Sequence, residues 1–278
     1  MYLRALAVAD LLCMIFVLLF VIGEIATHAG LPLEKSYFQA FYRAHLMLFL
    51  INWASSTGVL IVVALSFDRF LSIVFPTYFR TWNVSQRAHQ TIFAIYTITA
   101  LLQIPYGIGR YTVDENINQE GTTIYASIDS EVSRTLQWQI YKWTREGLLR
   151  FAPILILSVL NIKIMTAFRR RQKLFVHLTN RKNRGNFTNG SGSSKDDTLI
   201  YILGGIVVMF FICNIPAALN LLFINETIKL RVDYHLFRAV ANLLEITNHA
   251  SQFYVFCACS TAYRTTFLEK FPLSAFSS

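Results

Sequence analysis

Six apolar runs set what this chain can fold into: Leu3–Ala26, Phe38–Phe75, Thr91–Ile108, Tyr141–Phe168, Thr198–Ile224 and Tyr234–Cys259. A helix rising about 1.5 Å per residue needs roughly 20 residues to cross a bilayer core. Only 15% of the 278 residues are charged, while 54% are hydrophobic. That is too little polar surface for a soluble domain of this length. The expected class is all-α: an integral membrane helical bundle with six visible spans. Residues 1–260 read as a single bundle and 261–278 as an amphipathic helix and tail.

Charge orients the bundle. The net charge is +9, but the basic residues sit in links between apolar runs, which argues against nucleic acid as a partner and for a lipid bilayer. The links after the second and fourth runs are basic, and residues 169–197 read as a flexible cytoplasmic loop. Residues 110–140 hold Asp114, Glu115, Glu120, Asp129 and Glu131 against Arg110 and Arg134, and read as extracellular. Within them Glu120-Gly121 offers a turn beside a loosely alternating Thr122–Ser127, a pattern for a small hairpin. This alternation places the start of the chain inside and predicts a multi-pass protein of the plasma membrane. Asn225-Glu226-Thr227 is then a sequon on the outer side.

The tail repeats an apolar residue at Tyr263, Phe267 and Phe271, a stripe for a short helix on the membrane surface. Cys13, Cys213, Cys257 and Cys259 all lie within or at the ends of apolar runs, so no disulfide framework is expected and burial is the plain reading. S-acylation is the alternative at Cys257 and Cys259. No catalytic constellation and no cofactor or metal spacing is found.

Charges inside apolar runs are costly and mark function. Asp10 interrupts the first run, and Asp68-Arg69 stands at the foot of the second, with a short apolar turn beyond it. An Arg there keeps its charge and needs anionic or carbonyl partners. Asp68 is one candidate and Asp196, at the start of the fifth run, another. The bland alternative makes Asp68 and Arg69 solvated head-group anchors. Pro153 and Pro216 each remove a backbone donor and are expected to kink their helices, with Asn214 placed to bond a freed carbonyl.

The motifs in order resemble a rhodopsin-like (class A) G-protein-coupled receptor lacking its first transmembrane helix. Leu6-Ala7-Val8-Ala9-Asp10 is similar to the second-helix L-A-x-x-D. Asp68-Arg69-Phe70 is similar to the third-helix D-R-Y, and Pro153 to the fifth-helix proline. Phe210-Phe211-Ile212-Cys213-Asn214-Ile215-Pro216 is similar to F-x-x-C-W-x-P, with Asn214 for the Trp. Gln252-Phe253-Tyr254-Val255-Phe256 stands in the place of N-P-x-x-Y. The stretches FAPILILSVLNIKI and NHASQFYVFCACSTAYRTTF look most like invertebrate FMRFamide-type neuropeptide receptors. The disulfide that the family places between the third helix and the outer loop has no counterpart: Ala44 occupies the helix position.

The resemblance implies that Asp68, Arg69 and Asp196 form a G-protein coupling switch, and that Asp10, Asn248 and Gln252 form a polar core cluster. Gly58 offers no hydroxyl for a sodium site at Asp10. Glu24, Ile51, Asn52, Ser55, Arg150, Asn214, Arg238, Asn242 and Glu245 are candidate ligand-pocket residues. Ile51 in place of an acid speaks against an amine ligand. Glu24 and Glu245 would suit a basic amidated peptide end, unless they pair internally with Arg150 or Arg238, and Glu146 with Arg150 is such an i, i+4 pair. The expected function is a receptor, not an enzyme, with a peptide ligand and a heterotrimeric G protein as partners. The alternatives are a non-signalling receptor-like protein and a secondary transporter. The transporter would show paired broken helices in two related halves, and no internal repeat is found.

Overall fold

The computed structural model describes residues 1–31, 36–76, 84–117, 123–182, 193–223 and 232–259, with Phe79, Thr265 and Glu269 besides. The six apolar runs are six helices. They are α1 (Tyr2–His28), α2 (Tyr37–Val74), α3 (Val84–Gly109), α4 (Leu136–Glu146 continuing through Gly147–Phe151 and Ala152–Lys182), α5 (Ser193–Phe223) and α6 (Val232–Cys259). Among the described residues α1, α2, α3 and Leu136–Ala167 of α4 are long and apolar enough to cross a membrane, and α5 adds the apolar stretch Val207–Asn220. The tail stripe of Tyr263, Phe267 and Phe271, the sequon at Asn225 and the linker 183–192 lie outside the described residues.

Helix α1 shows why lipid is the solvent. Leu6, Ala9, Asp10, Cys13 and Val17 are buried, a stripe at helical spacing. The opposite face is equally apolar and exposed: Val8, Leu11, Ile15, Leu18, Ile22 and Ile25. A helix apolar on both faces fits only a setting in which the outside is hydrocarbon. Its end is a Schellman cap. Gly30 takes φ +80°, Gly30 N–H donates to Thr27 O at 3.1 Å and Leu31 N–H to Ala26 O at 3.1 Å, satisfying carbonyls the last turn leaves open.

The molecule divides into two compact units, residues 1–65 with 78–155, and residues 66–77 with 156–278. In the first, polar side chains stitch α3 to α1 and α2. Tyr96 donates to Ala5 O at 3.1 Å, and Trp53 Nε1 donates to Tyr96 O at 3.0 Å. Thr57 and Thr99 meet at 2.8 Å with both side chains buried. Thr99 commits its one proton to Ile95 O at 2.8 Å, so Thr57 is the donor. Where α3 ends, His45 bonds the carbonyl of Gly107 at 2.9 Å. A carbonyl can only accept, so Nδ1 carries the proton. In the second unit α5 and α6 pack along each other.

The expected hairpin is present as two strands: β1 (Tyr111–Ile117) pairs antiparallel with β2 (Thr123–Asp129), register Tyr111 with Asp129 through Ile117 with Thr123, while the turn expected at Glu120-Gly121 lies outside the described residues. Its base is closed by Ser130 N–H to Arg110 O at 3.2 Å and by Arg110 with Asp129 at 3.4 Å. Burial opposes the charge on Arg110, but Tyr111, Tyr106 and Asp129 outweigh it, and its pKa is raised.

Two expectations need correcting. The fourth helix begins at Leu136, not Tyr141, because Thr135 caps it: its side chain accepts from Trp138 N–H at 3.3 Å. Asn214 donates to Phe210 O at 2.9 Å, whereas the carbonyl left without its helical donor by Pro216 is four residues back, at Ile212.

Two π turns, Tyr42–Leu46 and Gly147–Phe151, interrupt α2 and α4. The second ends two residues before Pro153, whose ring would otherwise meet the carbonyl of Leu149.

Candidate functional site

The polar chemistry of the first unit gathers at the hairpin end of its helices, in two places. The first is a buried chain of side chains across three helices. On α2, Ser56 Oγ accepts from Gln103 Nε2 at 3.2 Å, and Asn52 O lies 3.5 Å from the same nitrogen. On α3, Gln103 turns its oxygen to Arg145 Nη1 at 2.9 Å. On α4, Arg145 pairs with Glu146, and Glu146 Oε2 lies 3.6 Å from Arg150 Nε, as the i, i+4 spacing predicts. The Arg145 guanidinium also lies 4.0 Å over the Tyr106 ring. Arg145 and Glu146 side chains are only 7% and 9% exposed. Removing one partner of so buried a pair strands the other charge, which is why such networks tend to have a single arrangement.

The second place is a cavity of about 350 Å³ beneath the hairpin, lined by Thr27 of α1, Gln39 and Arg43 of α2, and Ile124, Tyr125 and Ser127 of β2 among others. Arg43 Nη2 reaches Glu24 at 3.0 Å and Thr27 Oγ1 at 2.9 Å. Thr27 in turn donates to Gly23 O at 2.9 Å. Tyr125 is held edge-on against Tyr37, ring centroids 5.5 Å apart. The candidate Glu24 therefore pairs with Arg43, not with Arg150 or Arg238. Arg43 drew no notice as a partner because nothing local in the sequence links it to a residue nineteen positions earlier.

The remaining candidates fall as follows. Ile51, Asn52 and Ser55 are half-buried on α2, and Asn52 Nδ2 donates to Leu48 O at 2.6 Å. On α5 and α6, Asn214 is buried, Glu245 half-buried, and Arg238 and Asn242 exposed. Asp10 and Asn248 are both buried, 8% and 3% exposed, while the side chain of Gln252 lies outside the described residues. Asp68 is buried and Arg69 half-buried. Phe70, beside them, lies under Lys163 Nζ at 5.9 Å. The side chain of Asp196 lies outside the described residues. Cys13 and Cys213 are buried free thiols, and Ala44 is buried. Gln103 and Tyr106 were missed, although an amide in the middle of an apolar run is a readable signal.

Comparison with known proteins agrees with this architecture. The family model described as "7 transmembrane receptor (rhodopsin family)" matches residues 1–267. The chain is 58% identical over 273 residues to "Probable G-protein coupled receptor B0563.6" of Caenorhabditis elegans, covering 98% of this chain and 62% of that protein. It is 29% identical over 282 residues to "Probable G-protein coupled receptor AH9.1" of the same organism, covering 98% and 67%. It is 27% identical over 227 residues to "Sex peptide receptor-related protein 2", also from Caenorhabditis elegans, covering 74% and 49%. The chain thus spans between about half and two thirds of these relatives' lengths. Family and apolar helices together make it a multi-pass membrane protein of a receptor family, not an enzyme family. This chain belongs to the rhodopsin family of seven-transmembrane receptors.

Proposed function

We propose that the protein binds a short amidated neuropeptide from outside the cell and then activates a heterotrimeric G protein. The observation that carries the reading is the layout of α2. Its head brings Gln39 and Arg43 to a hairpin-covered polar cavity, and its foot carries a buried Asp68 beside a half-buried Arg69. Ligand at one end and charge release at the other is the arrangement a population shift requires: the ligand must bind one state better than the other. Arg69, held by Asp68 and Asp196 in the resting state, would be freed for a G-protein contact. A relative named as related to a peptide receptor supports a peptide over an amine, as does Ile51 in place of an acid. FMRFamide-type specificity is the finer reading. The motif order supports reading the six helices as the second to seventh of the family plan, which sequencing the 5′ end of the native transcript tests.

The functional test is GTPγS exchange on membranes carrying the full-length protein, with a panel of Arg-Phe-amide peptides. Saturable stimulation supports the reading. Absence of stimulation at verified surface expression favours a non-signalling receptor-like protein, the reading that Asn214 in place of a Trp keeps in view.

A further inference from the structure

We infer that the cavity beneath the hairpin is a subsite for a neutral primary carboxamide carried on an aromatic or aliphatic residue, and that it rejects the matching carboxylate. The inference deepens the amidated-peptide reading and rests on it for the biological source of the ligand, though the site itself can be tested without any signal.

Charge decides between amide and acid. Arg43 is already balanced by Glu24 at 3.0 Å. A ligand carboxylate would make two anions share one guanidinium in a partly desolvated place, and the second anion is disfavoured there. A carboxamide leaves the pair neutral and still has both a donor and an acceptor to offer.

The lining can meet both. Arg43 uses Nη2 for Glu24 and Thr27, and among the described residues its other N–H groups are left to face a ligand carbonyl. Gln39 supplies an amide oxygen to accept from the ligand NH2. Its own nitrogen lies so close to α1 that a Cβ added at Gly23 would come within 2.9 Å of it. Ile124 and the Tyr125 ring provide apolar wall for a side chain. A volume of about 350 Å³ suits one residue rather than a whole peptide, small-molecule sites starting near roughly 300 Å³.

The test is protection of an engineered thiol. Ser127 lines the cavity and is exposed, so full-length Ser127→Cys on cell membranes should react with a methanethiosulfonate reagent above the background of the unaltered protein. The probes are N-acetyl-phenylalaninamide and N-acetyl-phenylalanine. The amide should slow labelling saturably, by about threefold at twice its Kd, since protection follows 1 + [L]/Kd, and the acid should not. Glu24→Gln in the same background removes the competing anion and should bring the acid up to or past the amide. Equal protection by amide and acid in the parent overturns the inference, as does protection by neither. An unchanged amide preference in Glu24→Gln overturns it too. If that variant does not reach the surface, Gln39→Ala replaces it and should cost the amide its advantage. Protection by the amide with no peptide-stimulated GTPγS exchange would keep the subsite and discard the signalling reading. Stimulation by peptide with no amide protection would do the reverse.

Discussion

Arg145 donates to Gln103 at 2.9 Å, with both side chains buried, and together with Tyr141 Oη donating to Leu102 O at 2.6 Å this bond ties α4 to α3. Gln103→Leu leaves Arg145 one acceptor short. The expected cost is about 1–3 kcal/mol, read as a lower thermal midpoint of the full-length protein in detergent. Arg145→Met leaves Glu146 to Arg150 at 3.6 Å, and the expected cost rises to about 3–5 kcal/mol because a buried carboxylate loses its nearest counter-charge. Equal midpoints for the two variants would show that the ion pair adds nothing beyond the amide.

Gly107 has no room for a side chain. A Cβ there would lie 2.9 Å from His45 O and 3.2 Å from Phe49 Cβ, neither of which can swing aside. Gly107→Ala should cost about 1–3 kcal/mol by overpacking. Gly30→Ala meets no atom within 4 Å, yet its φ of +80° should still cost about 1 kcal/mol. Thermal unfolding that ranked Gly30→Ala as the worse of the two would contradict the packing of α2 on α3.

The ion pair at the hairpin base should matter little. Arg110 and Asp129 are 30% and 50% exposed at 3.4 Å, and exposed pairs contribute about 0–1 kcal/mol. Asp129→Asn should therefore leave the thermal midpoint nearly unchanged. Thr135→Ala, which removes the α4 cap, should lower it by an amount corresponding to about 1 kcal/mol. The opposite order would mean that the hairpin is held chiefly by charge.

Release of Arg69 should be visible without ligand. If Asp196 holds it in the resting state, Asp196→Ala raises basal GTPγS exchange at equal surface expression. Basal exchange equal to that of the unaltered protein removes Asp196 from the switch.

Orientation rests on the charge of the links and on one sequon. Glycosidase should shift the mobility of the full-length protein through Asn225 alone within residues 1–278, and a shift from this region that persists in Asn225→Gln would invert the assigned sides.

Helix positions were legible because hydropathy is local: every one of the six runs became a helix, and the second strand followed from its own alternation. Helix ends were less legible. Thr135 as a cap and the π turns at 42–46 and 147–151 depend on hydrogen bonds that residue order only weakly encodes.

Partner choice was the least legible part. Glu24 was recognisable as an acid in the outer half of its helix, and the i, i+4 rule paired Glu146 with Arg150 correctly. No local rule pairs Glu24 with Arg43, or joins Gln103 to Ser56 and Arg145, since those pairs are 19, 47 and 42 residues apart. The sequence by itself determined that the chain is a bundle of apolar helices with a few costly charges inside it, because a continuous apolar run of membrane length can satisfy its backbone polar groups in lipid only as a helix. Only the tertiary structure decided which charge meets which, because ion pairs and amide bonds are set by how helices distant in sequence are brought side by side.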